Sequence, residues 1–404
     1  MKSVIDVCVR EWRRVFTDPG ALMLLVVAAG LYGVFYPQPY LPEVLVEVPT
    51  VVVDHDGTPL SRRLVRMADA SQLVQVSART TNRLEAADLV RRGEAGAMLE
   101  IPRGFERDVL RGQPATVACF TDAAYFLVYR QAATGLRAAA GTLSAGIEIQ
   151  RLEAAGMTAD QAADARAPVV IADRPLFNPA EGYASYIVPG VMVLILQQTL
   201  LIGIGLLAGT AREDGERPAS AGSLATTAGR VLAYLAIYFV HAFFYFVVVF
   251  RLFNLPYRGQ LGTTFAFALP FLLAAICLAF ILANLFRQRE TALQVLLFTS
   301  LPAVFLSGFA WPTEMLPRWL GTVALLLPST AGTEGFLRVN QMGATLSQVT
   351  TEWRLLWVLA GAYFLLAWWI HAVKATAAST ITSGIIPAPM RTDPEAPAPG
   401  PAST

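Results

Sequence analysis

The chain has 404 residues, of which 55% are hydrophobic and only 15% charged. A soluble domain carries about a quarter charged residues, so the composition excludes an ordinary soluble globule. A net charge of +1 offers nucleic acid no bulk attraction, and three dispersed cysteines, Cys8, Cys119 and Cys277, form no CxxC-type metal spacing and argue against an internal disulfide.

Before the first apolar run stands "KSVIDVCVREWRRVFTDPG", too long and too mixed in charge for the leading part of a cleaved signal. Ile5, Cys8, Trp12, Val15 and Phe16 recur at helical spacing, with Asp6, Arg10, Arg13 and Arg14 on the other side. Residues 1–18 therefore read as an amphipathic helix lying in a membrane interface. Asp18-Pro19 caps and starts the next helix, the first crossing, over 19–36.

From 37 to 176 the charge density rises and the periodicity changes. "VPTVVVDHDG" predicts a strand ending in a turn, and "PLSRRLVRMADA" a helix. "LVQVS", "AGAMLEIP" and "ATVACFTD" read as further strands, alternating with helices in "NRLEAADLVRRG" and "RGFERDVLRG". A long helical stretch runs from about Phe126 to Ala155, and "APVVIADRPLFNP" then returns extended. Alternating strands and helices predict an inserted α/β domain with its own core. Asp54, His55 and Asp56 suit a turn better than a metal ligand set, and Asp160 and Asp164 suit a solvated helical face.

Beyond the insert, apolar runs predict crossings at Tyr183–Ala208, Leu224–Phe253, Thr263–Phe286, Thr291–Trp311 and Trp353–Val373, about six in all with the first. The fold class expected is an α-helical polytopic membrane protein carrying an α/β extracytoplasmic domain. Between 312 and 340 the apolar runs are cut by Pro317 and Pro328, which predicts short helices dipping partway into the bilayer. Residues 376–404, rich in Pro, Ala and Ser, read as a disordered tail.

Lys and Arg in the short flanks (Lys2, Arg10, Arg13, Arg14, Arg212, Arg217, Arg230, Arg287, Arg289, Lys374) outnumber those opposite (Arg251, Arg258, Arg318, Arg338, Arg354). The positive-inside rule then puts both termini in the cytoplasm and the α/β domain outside. Residues 209–223, which take in most of "LLAGTAREDGERPASAG" (Leu206–Gly222), become a short charged cytoplasmic loop between two apolar runs, either a plain solvated turn or a socket for a partner.

No GxxxxGK[ST], GxSxG or HExxH occurs, and His55, His241 and His371 stand one per region. His241, in mid-span, is expected to make a helix–helix hydrogen bond rather than relay a proton. Gln197, Gln198 and Gln294 either hold helices together or line a path.

The order of several stretches resembles the permease subunit of ABC-2-type exporters. They are "FNP" (Phe177–Pro179) and "YIVPG" (Tyr186–Gly190), "AREDGE" (Ala211–Glu216), "LSGFAWPTEMLPRWL" (Leu306–Leu320) and "LLPSTAGTEGFLRVNQMGA" (Leu326–Ala344). "VVVDHDGTPLSRRLV" (Val51–Val65) looks like the start of the large outer domain of one subgroup. The resemblance implies a permease core over 177–375, re-entrant helices over 312–340, and a coupling helix in the first cytoplasmic loop. By carry-over Arg212, Glu213, Asp214, Gly215, Glu216 and Arg217 form the coupling contact, with Arg10, Arg13 and Arg14 beside it. Pro218 stands where relatives often continue the loop as Glu-Gly-Thr, so this coupling helix is expected to differ in length.

The function so implied is efflux of a hydrophobic or amphipathic substrate from a bacterial inner membrane. The chain itself is then no enzyme and binds no cofactor or metal. ATP and Mg belong to separate ABC ATPase subunits. A second permease, homodimeric or related, membrane lipid and a periplasmic adaptor protein are the other partners, with no nucleic acid. Gln197, Gln198, Gln294, Glu314 and Glu334 are candidates for the path and its outer gate, although Glu314 and Glu334 suit helix anchors at headgroup level equally. The alternative is a membrane receptor or scaffold with an extracytoplasmic sensor domain.

Overall fold

Three consecutive valines, Val51, Val52 and Val53, lie within β1 (Val48–Asp54), all fully buried. A strand covered on one face alternates buried and open positions, whereas one covered on both reads as an unbroken β-branched run. β1 pairs in parallel with β2 (Val74–Thr80) and β3 (Ala97–Ile101), and β3 pairs antiparallel with β4 (Ala118–Thr121), giving the order β2-β1-β3-β4. Helices Pro59–Asp69 and Phe126–Ala154 close one face around Val48, Val52, Leu64 and Leu136. Helix Arg83–Arg91 closes the other around Val51, Val53, Ala86 and Met98. This is a computed structural model, and it describes residues 4–167, 174–215 and 224–383. The extended return expected at 168–173 lies outside them.

The Asp-His-Asp-Gly turn forms as a turn. Asp54 accepts from the amides of Asp56 (3.0 Å) and Gly57 (2.9 Å), where Gly57 takes a left-handed φ of 64°. Asp56 accepts from the amides of Gly104 (2.7 Å) and Glu106 (3.0 Å), capping helix Phe105–Leu110. Burial pushes the Asp56 carboxyl up, but hydrogen bonds from Thr58 and from the Glu106, Gly104 and Phe105 amides hold it below the usual carboxylate range. Asp160 and Asp164 are exposed on helix Ala159–Arg166, whose start carries a Thr158–Gln161 capping box.

The α/β unit runs from Pro42 to Tyr183. Its ends meet, because the Tyr183 amide donates to the Glu43 carbonyl at 2.7 Å. Just upstream, Asn178 of the "FNP" stretch closes a turn on Gly182, donating to its carbonyl at 2.8 Å and accepting from its amide at 3.1 Å. This bonded turn carries the unit past residue 176, where the sequence pattern alone ends it.

The described residues of the second unit, Met1–Leu41 with Ala184–Thr404, are mainly helical. Among its described residues five helices are long and apolar enough to cross a membrane: Pro19–Tyr40, Tyr183–Glu213, Leu224–Leu252, Leu261–Ala283 and Thr350–Lys374. They are the first, second, third, fourth and last spans below. The second is the centre of the bundle, with 83% of its apolar window buried against 22% for the first and last. Asp18 caps the first span as expected, accepting from the Ala21 amide at 2.9 Å ahead of Pro19.

The run expected to cross at Thr291–Trp311 is built of two consecutive helices, Arg289–Phe298 and Ser300–Leu306, hinged at Thr299. Pro302 explains the break, since it has no N–H to return to the Phe298 carbonyl. The last helix continues to Ser383, into the stretch 376–404 expected to be a disordered tail; "KATAAST" holds three alanines and no Pro or Gly to break it. Residues beyond 383 lie outside the described set.

In the segment between 312 and 340, Arg318–Ala324 and Pro328–Asn340 are the short helices expected. The second is buried along most of its length. Its Phe336 stacks on Phe246 of the third span (centroids 4.6 Å apart, planes at 11°) and meets Phe267 of the fourth edge-on at 5.1 Å. Gly335 lies directly under the Phe267 ring, where a Cβ would collide.

Two spans contain a π-helical turn, Met23–Ala28 in the first and Phe244–Val249 in the third. Such turns free a backbone carbonyl that needs another donor. Here His241 Nε2 bonds the Leu25 carbonyl at 3.0 Å, and the Tyr245 hydroxyl donates to the Ala29 carbonyl. A carbonyl can only accept, so Nε2 carries the proton. His241 thus makes the helix–helix bond expected of it.

Candidate functional site

Helix Val4–Thr17 is amphipathic, but its buried stripe is Val7, Cys8, Glu11 and Val15, while Ile5 and Phe16 of the expected apolar face are exposed. The stripe is rotated because an acid at its centre finds partners in the third span. Arg230 Nε lies 3.2 Å from Glu11 Oε1, the Tyr234 hydroxyl donates to the same oxygen at 2.9 Å, and Arg14 stands 3.8 Å from Oε2. Arg230 and Tyr234 are four residues apart, one turn, and so project from one face. On that face Gly229 lets the N-terminal helix approach; a Cβ there would stand 2.7 Å from the Val4 carbonyl. Trp12 Nε1 completes the contact by donating to the Ala233 carbonyl at 2.8 Å. Burial pushes the Glu11 carboxyl up, but Arg230 and Arg14, with the Tyr234 hydrogen bond, bring it below its ordinary range.

The end of the second span arrives beside this contact. Arg212 turns inward, donating to the Ala283 carbonyl (2.8 Å) and approaching Asn284 Oδ1 (3.4 Å) at the foot of the fourth span. Lys374 of the last span donates to the same Asn284 oxygen at 2.8 Å. Glu213 accepts from the Arg289 amide at 2.9 Å and so caps the next helix from outside it. Gly209 makes that approach feasible, because a Cβ would stand 2.5 Å from the Arg289 backbone. Among the proposed coupling residues, Arg10, Arg13, Asp214 and Gly215 are exposed, Arg14 is half-buried, and Glu216 and Arg217 lie outside the described residues. Arg10, Glu11, Arg14, Arg212, Arg230 and Lys374 line one cavity of about 560 Å³.

A second polar seam runs inside the bundle. Gln197 is fully buried and grips Ser329 twice, donating to its hydroxyl at 3.0 Å and accepting from its amide at 2.7 Å. It therefore caps helix Pro328–Asn340 with a side chain from the second span. Gln198 donates to Ser300 at 2.7 Å. Nearer the start of the second span the Tyr186 hydroxyl donates to the Phe309 carbonyl, and Gly190 sits against the Phe309 ring. "YIVPG" and "LSGFAWP" are thus in contact. Gln294, Glu314 and Glu334 are exposed and take no part in this seam. Arg338, one turn beyond Glu334, pairs with Glu352 of the last span at 2.6 Å.

Sequence reasoning missed Glu11, Tyr234, Asn284 and Ser329. Only Glu11 left a signal, an acid at stripe spacing from Val7, Cys8 and Val15. The partners of the others lie far off in the chain.

A family model described as "ABC-2 family transporter protein" matches residues 21–369. "Probable multidrug ABC transporter permease YbhS" of Escherichia coli (strain K12) is 27% identical over 188 residues, 45% of this chain and 48% of that protein. "Probable multidrug ABC transporter permease YbhR" of the same strain is 23% identical over 190 residues, 46% of this chain and 51% of that protein. The matches to these curated relatives thus span about half of their length.

Proposed function

Because this chain belongs to the ABC-2 family of transporter proteins, we propose that it is the transmembrane permease subunit of an ATP-driven exporter. Separate ABC ATPase subunits, carrying ATP and Mg, supply the energy. They dock at the N-terminal helix and the 209–223 loop. Two permeases pair around the path in a bacterial inner membrane, with six crossings, cytoplasmic termini and the α/β domain outside, where an adaptor protein has room to bind. The cargo is apolar or amphipathic, in keeping with the word multidrug in the relatives' names.

The observation that carries this reading is the buried Glu11–Arg230–Tyr234 contact. A helix pinned to the third span beside the end of the second transmits a push at that surface to both. The second span would pass it on through Gln197 to the helix at 328–340, moving a gate there. The exposed residues Arg13 and Asp214 suit the docking surface better than Arg212 and Glu213, which already hold neighbouring helices. Copurification with the cognate ATPase tests this. Arg13→Glu with Asp214→Lys should reduce both ATPase capture and substrate-stimulated hydrolysis at least about tenfold, the equivalent of roughly 1.4 kcal/mol. Full capture and turnover by that variant would end the docking reading.

A further inference from the structure

The cavity between the N-terminal helix and the second, third, fourth and last spans has a lopsided lining. Its charged side chains are five cations, Arg10, Arg14, Arg212, Arg230 and Lys374, and one carboxylate, Glu11, among the described residues. That carboxylate is already committed to Arg230, Arg14 and Tyr234. Arg212 and Lys374 are oriented by neutral oxygens, the Ala283 carbonyl and the Asn284 amide, which fix their direction without cancelling their charge. Gathering like charges in a confined space is costly unless a counter-anion joins them.

We infer that this cavity binds the phosphate of an anionic membrane phospholipid. Guanidinium forks match phosphate oxygens in pairs, and lysine adds a point charge. Basic pockets between spans at a membrane face hold lipid headgroups by this chemistry. The volume of about 560 Å³ is in the range of small-ligand sites. The N-terminal helix beside it turns Ile5 and Phe16 outward, apolar surface suited to acyl chains next to the charged lining. A lipid so held would bridge that helix to the ends of the second and last spans. The inference rests on the reading that this end of the bundle lies at the membrane surface, and it needs no ATPase.

The test uses the full-length chain alone in detergent, titrated with dihexanoyl phosphatidylglycerol and read by native mass spectrometry and by thermal shift. One saturable lipid and a raised melting temperature are expected, with phosphatidylcholine binding at least tenfold more weakly. Arg10→Gln with Lys374→Gln should weaken phosphatidylglycerol binding at least tenfold, and Lys374→Arg should retain it, which separates lost charge from lost fold. Inorganic phosphate is the second arm. Competition by it at millimolar concentration marks the phosphate as the recognised group, and tighter binding of it than of the lipid overturns the lipid assignment. Equal binding of both lipids, or an unaffected double variant, overturns the site. Because no ATPase is present, a failed docking surface leaves this result untouched.

Discussion

Glu11 illustrates how one side chain can decide where a helix lies. It is 4% exposed, and each of its partners stabilises the ionised form. Glu11→Ala removes the buried carboxylate that half-buried Arg230 and buried Tyr234 both meet, and breaking a buried pair costs up to about 3–5 kcal/mol. Glu11→Gln, which keeps the shape and a hydrogen bond, should cost less. Cys8 reports the outcome, since it is buried under the same helix and its thiol is pushed up by burial and by Glu11. Peptide-resolved maleimide labelling should find Cys8 slow in the parent and in Glu11→Gln, and fast in Glu11→Ala. Equal rates in all three would mean that the carboxylate does not hold the helix. The pH dependence has a fixed sign. The folded carboxyl lies below its unfolded value, so its contribution is complete above the unfolded pKa of about 4.3 and is lost only as pH falls through the lower folded value. Cys8 protection should therefore persist through mildly acid buffer and fail below it. The N-terminal helix was legible in the spacing of its apolar residues, but its rotation was not, because Arg230 and Tyr234 stand more than two hundred positions away.

Between elements, the contact most exposed to test is the double grip of Gln197 on Ser329. The Ser329 amide is one of the first donors of its helix, which has no partner within that helix, and Gln197 provides its acceptor. Gln197→Leu strands a buried amide and hydroxyl and should cost about 1–3 kcal/mol. Combining it with Ser329→Ala should cost less than the sum of the two, measurable as a double-mutant cycle in detergent melting temperatures. Strict additivity would show that the two side chains do not communicate. Gly335→Ala is a test of packing, because the new methyl must displace the Phe267 ring, with a loss of about 1–3 kcal/mol expected from overpacking. A neutral result would mean that the helix at 328–340 slides freely against the fourth span. The five long apolar helices and the alternating strands and helices of the insert were readable as periodicity. The hinge at Thr299 was not, although Pro302 was in plain view, because apolar composition registers length and says nothing about a missing N–H.

For the whole molecule, the meeting of Glu43 and Tyr183 makes the α/β unit an insertion with joined ends. Each face of its sheet has its own core, so residues 42–183 should fold without the spans. Expressed alone, that fragment should be soluble, show mixed helix and strand by circular dichroism and melt cooperatively. A molten or aggregated fragment would show that it depends on the rest of the chain. The family was legible in the order of short stretches, and the structure shows why those stretches matter together. "YIVPG" and "LSGFAWP" lie more than a hundred residues apart and touch through Tyr186 and Phe309. The polar cavity had no comparable signature, since its lining comes one or two residues at a time from separate helices.

The bonds joining the first and third spans are asymmetric in a way that bears on inheritance. Both acceptors, at Leu25 and Ala29, belong to the main chain and survive any substitution of those residues, whereas both donors are the side chains of His241 and Tyr245. Genetic drift can therefore rewrite one helix of the pair with little penalty to its bonding, while a single nucleotide change in the codons of the other can cut the tether.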